Sequence, residues 1–113
     1  MREMIQSLPG VAPERFAERD FYLSIACRLC QVSVVEAVTG KTKRTAPVTA
    51  RHAVLWKLYQ DGGLSTATAG AMMGMAGTTA SQIVQLVSER LNQPRRYPLL
   101  ARVIKALDDA TQD

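Results

Sequence analysis

The chain has one histidine and two cysteines, too few for the roughly four ligands a structural zinc takes. Cys27 and Cys30 are three apart on what reads as a helix, and there is no second CxxC. A disulfide there is improbable in a reducing compartment, so buried, inert thiols are the main expectation and metal or redox chemistry the minor one. No apolar run approaches the roughly 20 residues that span a bilayer. The first 15 residues hold Arg2, Glu3, Pro9 and Glu14 and no apolar block, so neither a signal peptide nor a membrane partner is expected. Catalytic chemistry lacks its parts as well. Glu14, Glu18, Glu36 and Asp61 are scattered at helix starts and loop edges, with no paired arrangement. No GxxxxGK[ST] loop is present to hold a nucleotide. The expectation is a protein that is not an enzyme and takes no cofactor.

What is present is an ordinary globular composition, 47% apolar and 21% charged in 113 residues, the size of one domain. The formal charge of +4 is unevenly spread. Residues 1–40 are slightly acidic, and residues 106–113 add Asp108, Asp109 and Asp113 with no base. Between them, residues 41–105 carry every lysine and most arginines against only Asp61 and Glu89. A positive field confined to one stretch suits a polyanionic partner, although a solvated basic surface would look the same.

Helical signals fill the chain and no strand pattern does. Residues 1–12 lack a period and contain Pro9-Gly10, which predicts a flexible arm. Pro13 suits a first helical position and opens a helix over about 13–31, with Phe16, Leu23, Cys27 and Cys30 inward. Ser33-Val34-Val35-Glu36 is a capping box for a short helix over 34–39. After a basic loop, Pro47 opens a helix over about 47–60, packed through Val54, Leu55, Trp56, Leu58 and Tyr59. Ser65 caps a short helix to about Met73. Gly74 to Gly77 is a turn, and Thr78 or Thr79 starts a helix to Leu91, with Thr79-x-x-Gln82 as a second capping box. Pro98 starts a last helix with Leu100, Val103, Ile104 and Leu107 on one face. The expected fold is all-α, five to six helices in one domain over 13–110, followed by a short tail at 111–113.

Residues 65–91 have the spacing of a helix-turn-helix. Ala69 and Met73 take core places on the first helix, Gly74 the turn, where a left-handed conformation favours glycine, and Ala80 and Ile83 inward places on the second. Thr78, Thr79, Ser81, Gln82 and Gln85 are left facing outward. Gln can pair two-fold with adenine, and Ser and Thr bond bases or phosphates. The spacing alone also fits an ordinary helical hairpin with a polar outer face.

From about Ala26 to Val87 the order of blocks resembles the DNA-binding C-terminal domain of the bacterial replication initiator DnaA. The matching blocks are Val32 to Val38, Lys41-Thr42-Lys43-Arg44, Ala50 to Leu58, Ala69-Gly70, Gly74 and Thr78-Thr79. The resemblance implies a Trp-repressor-like helical fold. It implies that Lys43 or Arg44, in a loop with Lys41 and Thr45, enters the minor groove, and that Arg51, beside His52, grips phosphate. It also implies that Thr78-Thr79 open the recognition helix. Two departures stand out. Met75-Ala76-Gly77 replaces the family's Arg-Asp-His, so its target specificity is not expected here. The ATP-binding motor that precedes the family domain has no counterpart, so a stand-alone binder is expected.

The expected function is therefore that of a sequence-specific double-stranded-DNA binder, cytoplasmic and nucleoid-associated, acting in transcription regulation; the resemblance implies a phage-like or mobile-element gene cluster as its setting. RNA polymerase or another regulatory protein is its further partner. One alternative is a replication-linked factor that binds near an origin or competes with the initiator. Another is a protein-interaction module, using Met72, Met73 and Met75 or the acidic ends at 1–20 and 106–113.

Overall fold

A computed structural model describes residues 5–39 and 44–111. They form six helices and no strand: α1 (Pro13–Cys30), α2 (Val34–Thr39), α3 (Thr45–Gly62), α4 (Thr66–Met72), α5 (Gly77–Leu91) and α6 (Pro98–Thr111). The fold class is all-α, as the sequence reading expected. Among the described residues, no helix is long and apolar enough to cross a membrane. The molecule measures 39 × 32 × 29 Å.

α3 is the central element and touches every other helix. Its buried Ala50, Ala53, Val54, Leu55 and Leu58 meet Leu23, Ala26 and Cys27 of α1 and Val103 and Leu107 of α6 in one continuous core. The small alanines let the helices approach, and the branched residues fill the space between them. α4 and α5 pack mainly on each other and lean on α3.

Local chemistry sets the helix ends. Pro13 occupies the first turn of α1, where its missing N–H costs nothing. The helix ends at Gln31, which is left-handed (φ 58°). The Gln31 and Val32 amides donate back to the Arg28 and Cys27 carbonyls at 3.2 and 3.0 Å, a Schellman closure built without glycine. The Ser33–Glu36 box forms: the Glu36 amide donates to Ser33 Oγ at 3.1 Å, and the Ser33 amide donates to Glu36 Oε1 at 3.4 Å.

Three boundaries differ from expectation. α3 starts at Thr45, two residues before Pro47, because the first turn of a helix has N–H groups with no partner and tolerates proline anywhere in it. α5 starts at Gly77, and the second capping box does not form. Ala76 is the extended residue before the helix, and its carbonyl takes the Ala80 amide at 2.9 Å, which puts Thr79 inside the first turn. The segment before Pro13 also lies along the body where it is described. Leu8 and Val11 pack on the core, and the Ile5 carbonyl accepts from Arg19 Nη1 at 2.6 Å.

Arg19 was not singled out from sequence, yet it is fully buried. Its Nη1 also donates to the Met72 carbonyl at 2.8 Å, its Nε donates to Asp20 at 3.0 Å, and its guanidinium lies 5.1 Å from the Phe16 ring centroid. One side chain of α1 thus holds the last carbonyl of α4, immediately before the turn into α5.

Candidate nucleic-acid interface

The turn between α4 and α5 is built from backbone bonds. The Gly74 amide donates to the Ala71 carbonyl at 3.1 Å and the Met75 amide to the Gly70 carbonyl at 2.9 Å, with Gly74 at φ 74°. That is the Schellman pattern again, here with the residue that suits it. Gly70 serves a different need. A Cβ at Gly70 would stand 2.6 Å from the Ala80 Cβ and 3.3 Å from the Met75 carbonyl oxygen, so the two helices cross at a spacing only glycine permits. Met72 and Met73 are buried, and Met75 is half-buried against the core. The first two are therefore core, and the methionine-rich docking alternative loses its surface.

α5 is two-faced. Ala80, Val84 and Val87 are buried, whereas Thr78, Thr79, Ser81, Gln82 and Gln85 are all exposed. Its N-terminus has no side-chain cap. The first intrahelical bond is made by Ala80, so the amides of Gly77, Thr78 and Thr79 have no helical acceptor. Beside this end lies an open groove of about 210 Å³ between α2, α3, the turn and α5, lined by Val38, Thr39, Arg51, Met75, Thr79 and Ile83 among others. Arg51 Nε is buried there without an acceptor. Burial lowers the Arg51 pKa from its ordinary value, but an arginine starts so high that it stays cationic in a protein. A half-buried cation with an unmet donor, one groove from three free amides, is chemically suited to a phosphate.

The other expected residues are placed differently. His52 is half-buried, and burial, with the charges of Arg51 and Arg90 adding, pushes its pKa down to about 4. It is neutral at pH 7 and carries no charge toward an anion. Arg44 is exposed and donates from Nη1 to Glu36 at 3.0 Å. Thr45, at the start of α3, is exposed. Lys41 and Lys43 lie outside the described residues.

Ion pairing sorts the charges. Arg15 pairs with Glu18, Arg19 with Asp20, and Lys105 with Asp109. Lys57, buried in α3, takes both Asp61 and Asp108. Asp108 and Asp109 of α6 are thus both engaged by lysines of the same chain. Among the described residues, Arg28, Arg51, Arg90, Arg95, Arg96 and Arg102 make no ion pair, and four of these six lie on α3, α5 and the loop after it. Arg90 was counted in the charge of the central stretch but assigned no role; its signal was its place eleven residues after Thr79, on the same side of α5.

Cys27 and Cys30 are free and buried. Burial, with Cys30 and Glu36 adding, pushes the Cys27 thiol up to about 11, and burial raises Cys30 as well. Neither offers a thiolate at neutral pH. No group of three or more metal-ligating side chains occurs among the described residues. Comparison with known protein families, curated proteins and solved structures gave no match to this chain.

Proposed function

We propose that this chain binds double-stranded DNA with α5 as its recognition helix, and that it acts as a transcription regulator. The observation that carries the reading is the exposed, uncharged, hydrogen-bonding face of α5, which begins at an uncapped N-terminus beside the unpartnered Arg51 guanidinium. Helix-turn-helix proteins place the N-terminal residues of the second helix against base edges. In this arrangement Gln82 and Gln85 read bases, Ser81 and Thr78 bond bases or phosphates, and Arg51 with the free amides holds the backbone. Arg44, with Lys41 and Lys43 of the same basic stretch, reaches the adjacent minor groove, as the initiator-like blocks imply. His52, uncharged, packs rather than attracts.

Titration of labelled duplex at two salt concentrations tests the binding itself. Affinity falls at least about a hundredfold between 50 and 200 mM salt if several phosphates are neutralised; salt-insensitive or absent binding overturns the proposal. Two substitutions test the assignment. Arg51→Ala weakens binding to all sequences alike, whereas Gln82→Ala relaxes preference at one base pair by about 1–3 kcal/mol. Selection from a random duplex pool decides the role. Enrichment of a motif unlike the initiator's box supports a regulator with its own target, and enrichment of that box moves the reading to replication.

A further inference from the structure

Past the end of α5, the chain folds into a compact loop. The Gln93 amide donates to the Arg90 carbonyl at 2.9 Å, and the Arg96 and Tyr97 amides donate to the Gln93 carbonyl at 3.0 and 3.1 Å. The loop is held by its own backbone. Arg90 lies 4.6 Å and Arg96 5.7 Å from the centroid of the Tyr97 ring. Arg95 and Arg96 are exposed, and Arg90 has a buried Nε without an acceptor. Two guanidiniums share one aromatic ring, Arg95 precedes Arg96 in the same loop, and among the described residues no carboxylate pairs with any of the three. The ring's face attracts each cation, but the cations repel one another. An anion at this place relieves that repulsion and meets the unpaired donors.

We infer that the Arg90–Arg95–Arg96–Tyr97 loop is a second backbone-binding site, which takes the phosphates on the opposite rim of the groove that α5 enters. The inference rests on the DNA-binding reading and extends its footprint. α5 has 15 residues and is about 22 Å long at ~1.5 Å per residue, against a major groove roughly 12 Å wide. A helix crossing that groove is therefore long enough to reach both bordering strands. Arg51 and the free amides serve one end of it, and the arginine loop serves the other. The exposed face runs unbroken between them through Gln82, Gln85, Ser88 and Asn92. The carboxylate on that face, Glu89, follows Gln82 by two turns, where it can accept from a cytosine amino group.

The test is the salt slope of duplex binding by the full chain and by Arg95→Ala/Arg96→Ala, both exposed positions that leave the core untouched. Loss of two phosphate contacts lowers the slope of log affinity against log salt by about 2 and the affinity at 50 mM salt by at least about tenfold. Arg95→Lys/Arg96→Lys restores the slope, since a lysine supplies the same charge. Wild-type binding with an unchanged slope in the alanine pair overturns this inference and leaves the recognition helix standing. Absence of duplex binding by the wild type overturns both.

Discussion

At the scale of single residues, the close crossing of α4 and α5 turns on Gly70. A methyl group there meets the Ala80 Cβ at 2.6 Å, and on its other side stands a carbonyl that cannot move without opening the turn. Gly70→Ala is therefore expected to destabilise the fold by roughly 1–3 kcal/mol, the usual range for overpacking, read as a lower denaturant midpoint at unchanged slope. DNA affinity should fall with it if α5 is pushed outward. His52 gives a second residue-scale outcome. Its folded pKa of about 4 lies below the unfolded value near 6.5. The unfolded chain thus binds the proton first, and stability declines as pH falls from about 6.5 through about 4. Chemical denaturation across that window is expected to show the decline, and His52→Gln to flatten it. Because His52 is already neutral at pH 7, its titration adds no step to DNA affinity between pH 6.5 and 8. Small residues and a lone histidine were legible in the sequence as a helix crossing and a candidate contact. Burial of Arg19 and Lys57 was not, because a charged residue at helical spacing reads as surface until its partners are known. Those partners come from sequence-distant elements: the Ile5 and Met72 carbonyls for one, Asp108 for the other.

At the scale of elements, the helices were legible because their chemistry is local. Pro13, the Ser33–Glu36 box, Ser65 with its side chain accepting from the Thr68 amide, and Gly74 each fix an end through neighbours within a few residues. The misplaced start of α5 has the same origin in reverse. Thr79 and Gln82 have the pattern of a cap, but Ala76 is already extended and the Gly77 backbone enters the helix first. Where the turn itself must be left-handed, sequence and structure disagree at one place. Gln31 sits at φ 58° in a closure that glycine favours. Gln31→Gly is expected to raise stability modestly, by up to about 1 kcal/mol of relieved strain less the added entropy of the unfolded chain. A thermal-unfolding comparison checks it; a lower midpoint contradicts the strain argument. The exposed polar face of α5 was legible too, since inward Ala80, Val84 and Val87 leave only one side for Gln82 and Gln85. The arginine loop beyond it was not, because Arg95-Arg96 in a linker reads as ordinary solvated charge until Tyr97 and Arg90 are seen beside it.

At the scale of the whole molecule, folding sorts the charges. Among the described residues, Glu18, Asp20, Asp108 and Asp109 are engaged by Arg15, Arg19, Lys57 and Lys105, and of the arginines without an ion pair Arg51, Arg90, Arg95 and Arg96 lie on α3, α5 and the loop that follows, with Arg28 on α1 and Arg102 on α6. The central claim is that α5, outer face first, is what meets DNA. A heteronuclear NMR titration of the labelled chain with duplex DNA at low salt tests it most directly. The account predicts that the amides of Gly77–Gln85 shift most, with Arg51 and the Arg95–Tyr97 loop moving alongside and α1 nearly silent. Shifts concentrated on α1 and α2, with Gly77–Gln85 unmoved, would contradict it.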